Sequence, residues 1–450
     1  MTQDVTLLPA LTDQEGEQVL RRVLLRIVPF IFACYVISYL DRTNVGFAAI
    51  SMNKDLGLTA TMFGWAAGLF FIGYFMFEIP SNLLMQRFGA RIWIARIMIT
   101  WGLISMGTAF ATGPVSFSIM RFLLGLAEAG FTPGVYLYFT YWFPGKWRAK
   151  ATAAFLLGIP TANIFGSPLS GWLLDMHGVL GLKNWQFLLV VEALPALLLG
   201  LACLFVLVDH PAKARWLTDR EKAWLSDRLR REQLTISATH GSSLRGALTN
   251  PKVFVLAAIN FCCIVGSIGI GLWMPQIIKS LGMANATVGL VATLPYILGA
   301  IAMTVWARLA NRSQQRLPYV VGALAFAALA LVGAALAEDP VLKVACLAGT
   351  VASILAFQAT FWAIPSTFLT GRAAAGGLAL IVSIGNLGGF AGPFLIGMIK
   401  DATQSFSAPF YAVAAVLLLG TCLMLWLGDP AREQPVMSGT RQPKGNVAAP

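Results

Sequence analysis

Charge is what this sequence has least of. Acidic and basic residues make up 12% of its 450 positions, about half the roughly 25% usual in soluble domains. So few charges cannot cover a water-facing surface, which excludes an ordinary soluble protein. Histidine occurs three times, at 177, 210 and 240, in expected loops, and the sequence offers no metal cluster. The six cysteines (34, 203, 262, 263, 346 and 422) fall inside apolar segments without a C-x-x-C spacing. They read as small core residues rather than disulfides or metal ligands. Short alternating segments of a β-barrel are absent. The first 20 residues are polar and contain acids, without the short apolar core of a cleavable signal peptide.

What the chain does have is apolar length. Hydrophobic residues make up 57%, mean hydropathy is +0.73, and apolar runs of about 20 residues recur throughout, as bilayer-spanning helices require. The reading is an all-α membrane protein of twelve transmembrane helices. The first six are expected near 23–49, 62–84, 92–111, 117–143, 149–174 and 185–208. Six more begin near Val253, Thr287, Tyr319, Val341, Ala373 and Pro409. The expected organisation is a tail (1–20), a six-helix bundle (21–208), a linker (209–252), a second six-helix bundle (253–428) and a second tail (429–450).

The net charge of +12 would suggest nucleic acid in a soluble protein. Here Lys and Arg lie between apolar runs, where they set topology and meet anionic lipid. Arg21, Arg22 and Arg26 stand at the start of the first helix. Arg87 and Arg91 follow the second, Lys146, Arg148 and Lys150 the fourth, Arg308, Arg312 and Arg316 the eighth, and Arg372 the tenth. The loop after the third, 112–116, has none. By the positive-inside rule both termini and the linker are cytoplasmic. In the linker, Thr218 and Glu221 fit a capping box, and Leu217, Trp224, Leu225 and Leu229 give a basic helix an apolar side. An interfacial helix is the first reading, a calmodulin-type binding segment the second.

The halves echo each other. Gly166-Ser167-Pro168 with Asp175 resembles Gly392-Pro393 with Asp401, and Arg87 resembles Arg312. The prolines are 393 − 168 = 225 residues apart and the arginines 312 − 87 = 225. A common offset of half the chain suggests two pseudo-symmetric bundles, and carriers built this way bind substrate between them near mid-depth.

Charges inside the apolar runs are costly and therefore informative. An ionised side chain at the centre of a membrane helix costs roughly 2.5–3.5 kcal/mol on insertion scales. Asp41 and Arg42 stand side by side in YVISYLDRTNVGFA, and Arg121 and Glu128 lie seven residues apart on one face of the fourth helix. The first pair reads either as a helix end at the headgroups or as part of a central cavity. Adjacent residues point about 100° apart and do not pair with each other, so the four charges are expected to pair crosswise. They would form either a closed structural cluster or a working site. Arg42 and Arg121 offer planar forks suited to a carboxylate, while Asp41 and Glu128 can take up and release protons as the site alternates between wet and dry. An anion that takes over an Arg leaves the displaced carboxylate in want of a proton.

Glu78, near the end of the second helix, is assigned with Arg87 and Arg91 to a gating network, and Glu192 is left without a role. The spans of the second half have no acid in their interiors; they offer Trp273, Gln276, Gln358, Trp362 and Asn386. Trp362, near Pro365, is a candidate cavity wall, the alternative for each Trp being an interfacial anchor. Asn386 lies in SIGNLGGFAGP, whose glycines permit close packing and local unwinding. Tyr39 and Tyr74 lie where a hydroxyl would reach a hydroxylated ligand, with core or interface placement the alternative.

YLDRTNVGFA, GYFMFEIPSNLLMQRFGARIWIARIMITWG, MRFLLGLAEAGFTPGVYLYFTYWFP, DHPAKARWLTDREKAWL and SIGNLGGFAGP together resemble the major facilitator superfamily. Within it they resemble the anion:cation symporter family, near the bacterial tartrate, phthalate, hydroxyphenylacetate and sugar-acid permeases. The resemblance implies alternating access and proton-driven uptake of an organic carboxylate across the bacterial inner membrane. It implies proton handling by Asp41 and Glu128, anion binding by Arg42 and Arg121, and ligand contacts from Tyr74, Trp362 and Asn386. Two positions depart from the pattern: Gln86 stands before Arg87 where an Asp is usual, and Val382 where a polar Asn is expected.

The expected function is therefore a proton:carboxylate symporter, monomeric, with a small organic anion and the lipid bilayer as partners. It needs no cofactor beyond the coupling proton and no nucleic acid. The alternatives are a proton-coupled exporter of drugs or metabolites and a membrane sensor of organic acids. Nothing resembles an enzyme's nucleophile–base arrangement.

Overall fold

The computed structural model describes residues 11–238, 249–313, 315–365 and 371–428. The tails 1–10 and 429–450 and the linker stretch 239–248, with His240, lie outside the described residues. The regular elements among the described residues are all helical. In chain order they are α1 Asp13–Asp55, α2 Ala60–Phe88, α3 Ala90–Thr108, α4 Pro114–Glu128, α5 Phe131–Trp142, α6 Gly145–Leu156, α7 Gly158–Leu173 and α8 Asn184–Val206. The linker helix is α9, Asp219–Ala238. The second half comprises α10 Pro251–Lys279, α11 Asn285–Ser313, α12 Leu317–Leu336, α13 Pro340–Phe361, α14 Gly371–Asn386, α15 Gly388–Thr403 and α16 Ser407–Leu427.

These helices make twelve membrane crossings, six before α9 and six after it. Eleven, counting broken helices as one, are long and apolar enough to span a bilayer by composition alone. The twelfth is α3, packed between α4 and α8 and diluted by Arg91 and Arg96. Large apolar side chains such as Phe165, Phe205, Leu329 and Trp426 point outward, which is costly in water and favourable in lipid.

Three crossings are interrupted, in places the apolar runs did not all disclose. The fourth breaks at Ala129–Gly130, where Gly130 takes a left-handed φ of 86°. The fifth breaks at Leu157. The eleventh breaks at Leu387, within SIGNLGGF. The first helix begins at Asp13, earlier than the expected 23, because Thr12 and Glu15 form a reciprocal capping box. Its extra turns carry α9. Trp224 lies against Gly16, where a Cβ would collide with the indole. Arg22 pairs with Glu221, Arg220 with Glu15, and Arg148 with Glu232 at 2.7 Å. Thr218 and Glu221 cap α9 reciprocally.

The two bundles meet along α2–α15, α7–α11 and α1–α10. The hydrogen bonds that join them lie at the end of the molecule away from α9. Asp401 accepts from the backbone N–H groups of Ala60 (3.0 Å) and Thr61 (2.7 Å). Asp175 accepts from the Ala286 N–H (3.2 Å) and the Asn285 amide (3.0 Å). Asn53 donates to Gln276 at 3.3 Å. Gly46 lies against the backbone carbonyl of Leu272 and Gly64 against that of Pro393, so tightly that a side chain would not fit. One apolar core runs across this seam into the second bundle, while the α9-side half of the first bundle keeps a core of its own. The molecule is closed at the far end, and among the described residues no hydrogen bond joins the bundles on the α9 side.

Candidate functional site

The helical period sorts the polar residues of α1 onto two faces. Ser38 and Arg42, four apart, share one; Asp41 and Asn44, three apart, share another. The break after Glu128 places that carboxylate opposite the first face. Glu128 Oε1 accepts from Ser38 Oγ (2.7 Å) and Arg42 Nε (2.7 Å), with Arg42 Nη2 at 2.6 Å. Its second oxygen is buried without a partner. Arg42 is held sideways by aromatic faces, its guanidinium 5.2 Å from the Tyr74 ring, 5.5 Å from Phe70 and 5.6 Å from Tyr39, arrangements that favour a cation.

The other face of α1 looks toward α3 and α8. Asp41 accepts from Ser105 Oγ and from Asn44 Nδ2 at 3.2 Å, and its remaining oxygen is unpartnered. Arg121 on α4 faces both Asp41 and Glu128 electrostatically but pairs with neither. Its guanidinium lies 5.1 Å from the Phe70 ring, and its Nε is buried without a partner. Of the crosswise pairs expected, Arg42–Glu128 forms and Asp41–Arg121 does not. Ser105 and Asn44 both bond to one Asp41 oxygen, while the other oxygen and the Arg121 Nε each stay without a hydrogen-bond partner. Asp41, Arg121 and Glu128 are buried, whereas the Arg42 side chain is 17% exposed. Arg42 is thus the one of these four charges that keeps an accessible side-chain surface.

Tyr39 and Tyr74 flank Arg42, Tyr39 half-buried and Tyr74 buried. Trp362 and Asn386 are half-buried, Trp362 capping the end of α13 and Asn386 at the break between α14 and α15. Trp362 donates to Gln358 at 3.2 Å. Among the described residues no hydrogen bond ties Trp362 or Asn386 to the charges of the first bundle. Tyr296 on α11, which sequence reasoning did not single out, is half-buried with Tyr39 of the first bundle among its electrostatic neighbours. Trp273 and Gln276 belong to the far seam: Trp273 donates to the Pro393 carbonyl and meets Phe63 edge-on at 5.1 Å. Glu78 is buried, with Arg42 its charged neighbour; among the described residues no ion pair joins it to Arg87 or Arg91. Arg91 donates its backbone N–H to Asp209 at 2.9 Å, and Arg87 lies over Phe88.

Ser38, Asn44, Ser105 and Ser170 were missed because single hydroxyls and amides are common in membrane helices. Their spacing from the charges on α1, three or four residues for Ser38 and Asn44, was the available signal. A groove of about 680 Å³ between α2, α4 and α15 is lined by Trp65, Val115, Ile119 and other apolar groups. It faces lipid and has no part in this cluster.

Two pseudo-symmetric helical bundles closed against each other at one end, with charges buried inside the first, define a membrane carrier. Matches to the family model described as Major Facilitator Superfamily cover residues 31–284 and 256–449, and the chain belongs to that superfamily. A protein of Agrobacterium vitis named "Putative tartrate transporter" is 46% identical over 430 residues, covering 96% of this chain and 95% of its own. A "Quinolone resistance transporter" of Acinetobacter baumannii is 40% identical, covering 90% and 94%. Among solved structures, a D-xylose-proton symporter superposes with a TM-score of 0.73 at 14% identity, over 90% of this chain and 97% of that one. The chain is accordingly a transporter of small molecules rather than an enzyme.

Proposed function

We propose that this transporter is a symporter that imports a small organic carboxylate together with protons across the bacterial inner membrane, with both termini in the cytoplasm. The observation that carries the reading is the Arg42–Glu128 pair, in which a fork suited to a carboxylate is already occupied by one. A substrate carboxylate arriving from the opening meets Arg42 first and competes with Glu128 for it. Glu128, once displaced, is a buried carboxylate with one hydroxyl partner and no paired cation, a state that burial disfavours strongly. It then takes a proton, and anion and proton travel together. Arg121, unpaired and within the field of both acids, balances their charge as they load and unload. Tyr39 and Tyr74 offer hydroxyls beside the carboxylate position, and Trp362 and Asn386 would complete the wall from the second bundle. Glu78, Arg87 and Arg91 remain proposed gating residues on the α9 side. The excess of Arg and Lys on that side supports the orientation, and with it the closed seam faces outward and the opening faces the cytoplasm.

The relative named for tartrate supports a hydroxy acid as substrate. The relative named for quinolone resistance favours a second reading, proton-coupled export. Quinolones are themselves aromatic carboxylic acids, so Arg42 suits either cargo and direction separates the readings. The test is uptake by proteoliposomes of labelled tartrate, sugar acids, aromatic acids and a quinolone under an imposed pH gradient. Symport predicts accumulation of an acid on the alkaline side; accumulation on the acidic side supports export instead.

A further inference from the structure

We infer that Glu192 is a third proton-binding carboxyl, coupled to Asp41 across the packed α1–α8 pair, and that the two acids load and release protons as one unit. The inference rests on the proton-coupled reading above and concerns a group that reading leaves idle. Glu192 lies in the middle of α8 and is 1% exposed. Oε1 accepts from Ser170 Oγ at 2.6 Å, and Oε2 is buried with no hydrogen-bond partner. Helix α1 packs against α8, and its Asn44 amide donates to Asp41 at 3.2 Å on the side whose charge reaches Glu192.

The charges around Glu192 are few. Helix α8 packs against α1, α3 and α7. From α1 the facing groups are Asp41 and Asn44. From α3 it is Ser105, already bound to Asp41; Arg96 of α3 lies nine residues away, 4.1 Å over the Trp93 ring. From α7 it is Ser170, and Gly158–Leu173 contains no charged residue. Beyond Asp41 stands Arg121 on α4. Asp41 therefore acts on Glu192 across the packed α1–α8 pair with Arg121 the cation beyond it, and among the described residues Glu192 forms no ion pair. Two adjacent buried carboxylates beside one guanidinium do not both stay ionised. The arrangement retains one shared proton, and such a pair titrates with values belonging to the pair. Glu128, by contrast, has a guanidinium and a hydroxyl of its own.

Glu192 touches no part of the opening, so it acts on transport through Asp41. A neutral amide in its place removes the competing acid while keeping the partner Ser170. Asp41 then ionises more readily, and more acid is needed to load it. In proteoliposomes, Glu192→Gln is expected to move the pH midpoint of gradient-driven uptake lower by at least half a unit, about threefold in proton concentration. Substrate Kd measured at one pH should stay within twofold. Glu192→Asp, which restores an acid, should return the midpoint toward that of the unaltered protein. An unchanged midpoint in a well-folded Glu192→Gln protein overturns the inference, as does a tenfold loss of substrate affinity, which would mark a structural role. If the variant does not yield monodisperse protein, infrared difference spectra of the unaltered protein and Glu192→Asp decide. A buried protonated-carboxyl band that shifts between the two supports the inference, and its absence overturns it. Uptake by the unaltered protein that ignores the pH gradient would instead remove proton coupling itself, a failure separate from a Glu192 variant that behaves normally beside a coupled parent.

Discussion

Asp175 and Asp401 hold equivalent places in the two bundles and do equivalent work. Each stands beyond or near the end of a broken crossing, and each carboxylate receives the first N–H groups of a helix in the opposite bundle, α11 for Asp175 and α2 for Asp401. The acids are 401 − 175 = 226 residues apart, and the backbone donors Ala60 and Ala286 are separated by 286 − 60 = 226. A carboxylate at a helix N-terminus is worth about 1 kcal/mol through its hydrogen bonds and the helix dipole. Replacing both by Ala should therefore shift the balance between end-closed states by about 1–2 kcal/mol, roughly 5–30-fold, toward opening at this seam. Spin labels at the two rims, with distances compared between the parent and Asp175→Ala/Asp401→Ala, measure that shift. An unaltered distance distribution would show that the apolar seam alone holds this end shut.

The contact between Arg42 and Glu128 uses the guanidinium's Nε as well as Nη2. An ammonium keeps the charge but not this two-atom geometry. Arg42→Lys should weaken binding of the transported acid at least tenfold, within the roughly 1.5–3 kcal/mol of a hydrogen bond to a charged group. Calorimetry on purified protein reads this directly. Equal affinity would place the anion elsewhere.

Gly130 allows the fourth crossing to break directly after Glu128. Its φ of 86° disfavours any L side chain by roughly 1–2 kcal/mol, and an added Cβ would strike the Ser81 side chain. Gly130→Ala should lower the thermal midpoint by a few degrees. Gly130→Ala/Ser81→Ala should recover the part due to the clash and leave the part due to the backbone.

Docking of α9 depends on pH through Glu221. Burial opposes its ionisation, but the Thr218 N–H and the Arg22 guanidinium outweigh that and hold its carboxyl below the ordinary value of 4.5. A lowered folded-state value means the contribution is complete above the ordinary carboxylate range and is lost as pH falls through the lowered value. Hydrogen exchange in α9 should be slow and constant from pH 7 to 5, once corrected for intrinsic rates. Extra opening should appear only below pH 4.5, and Arg22→Ala should raise the pH at which it begins.

The crossings were legible in the sequence because lipid demands about 20 apolar residues for each. All six second-half crossings start within two residues of the expected positions, Pro251 against 253 and Leu317 against 319 among them. The breaks were less legible. SIGNLGGF announced one through its glycines, while Leu157 sits in FLLGIP without comparable warning. At the site, Asp41, Arg42, Arg121 and Glu128 were visible as charges that lipid does not tolerate. Which of them pair was not visible, because pairing is settled between helices distant in sequence, as where Ser105 of α3 bonds to Asp41 of α1. Glu192 remained without a role for the same reason: its neighbours come from α1 and α7, far away in sequence.

Glu128→Gln is the most direct measurement of the central claim, that Glu128 gives up Arg42 to the anion and takes a proton in exchange. An amide keeps the shape but can neither hold the guanidinium as an ion pair nor accept a proton. In proteoliposomes the variant should retain at least part of the exchange of internal for external substrate, with accumulation driven by a pH gradient abolished. Undiminished uphill accumulation by Glu128→Gln would contradict the account.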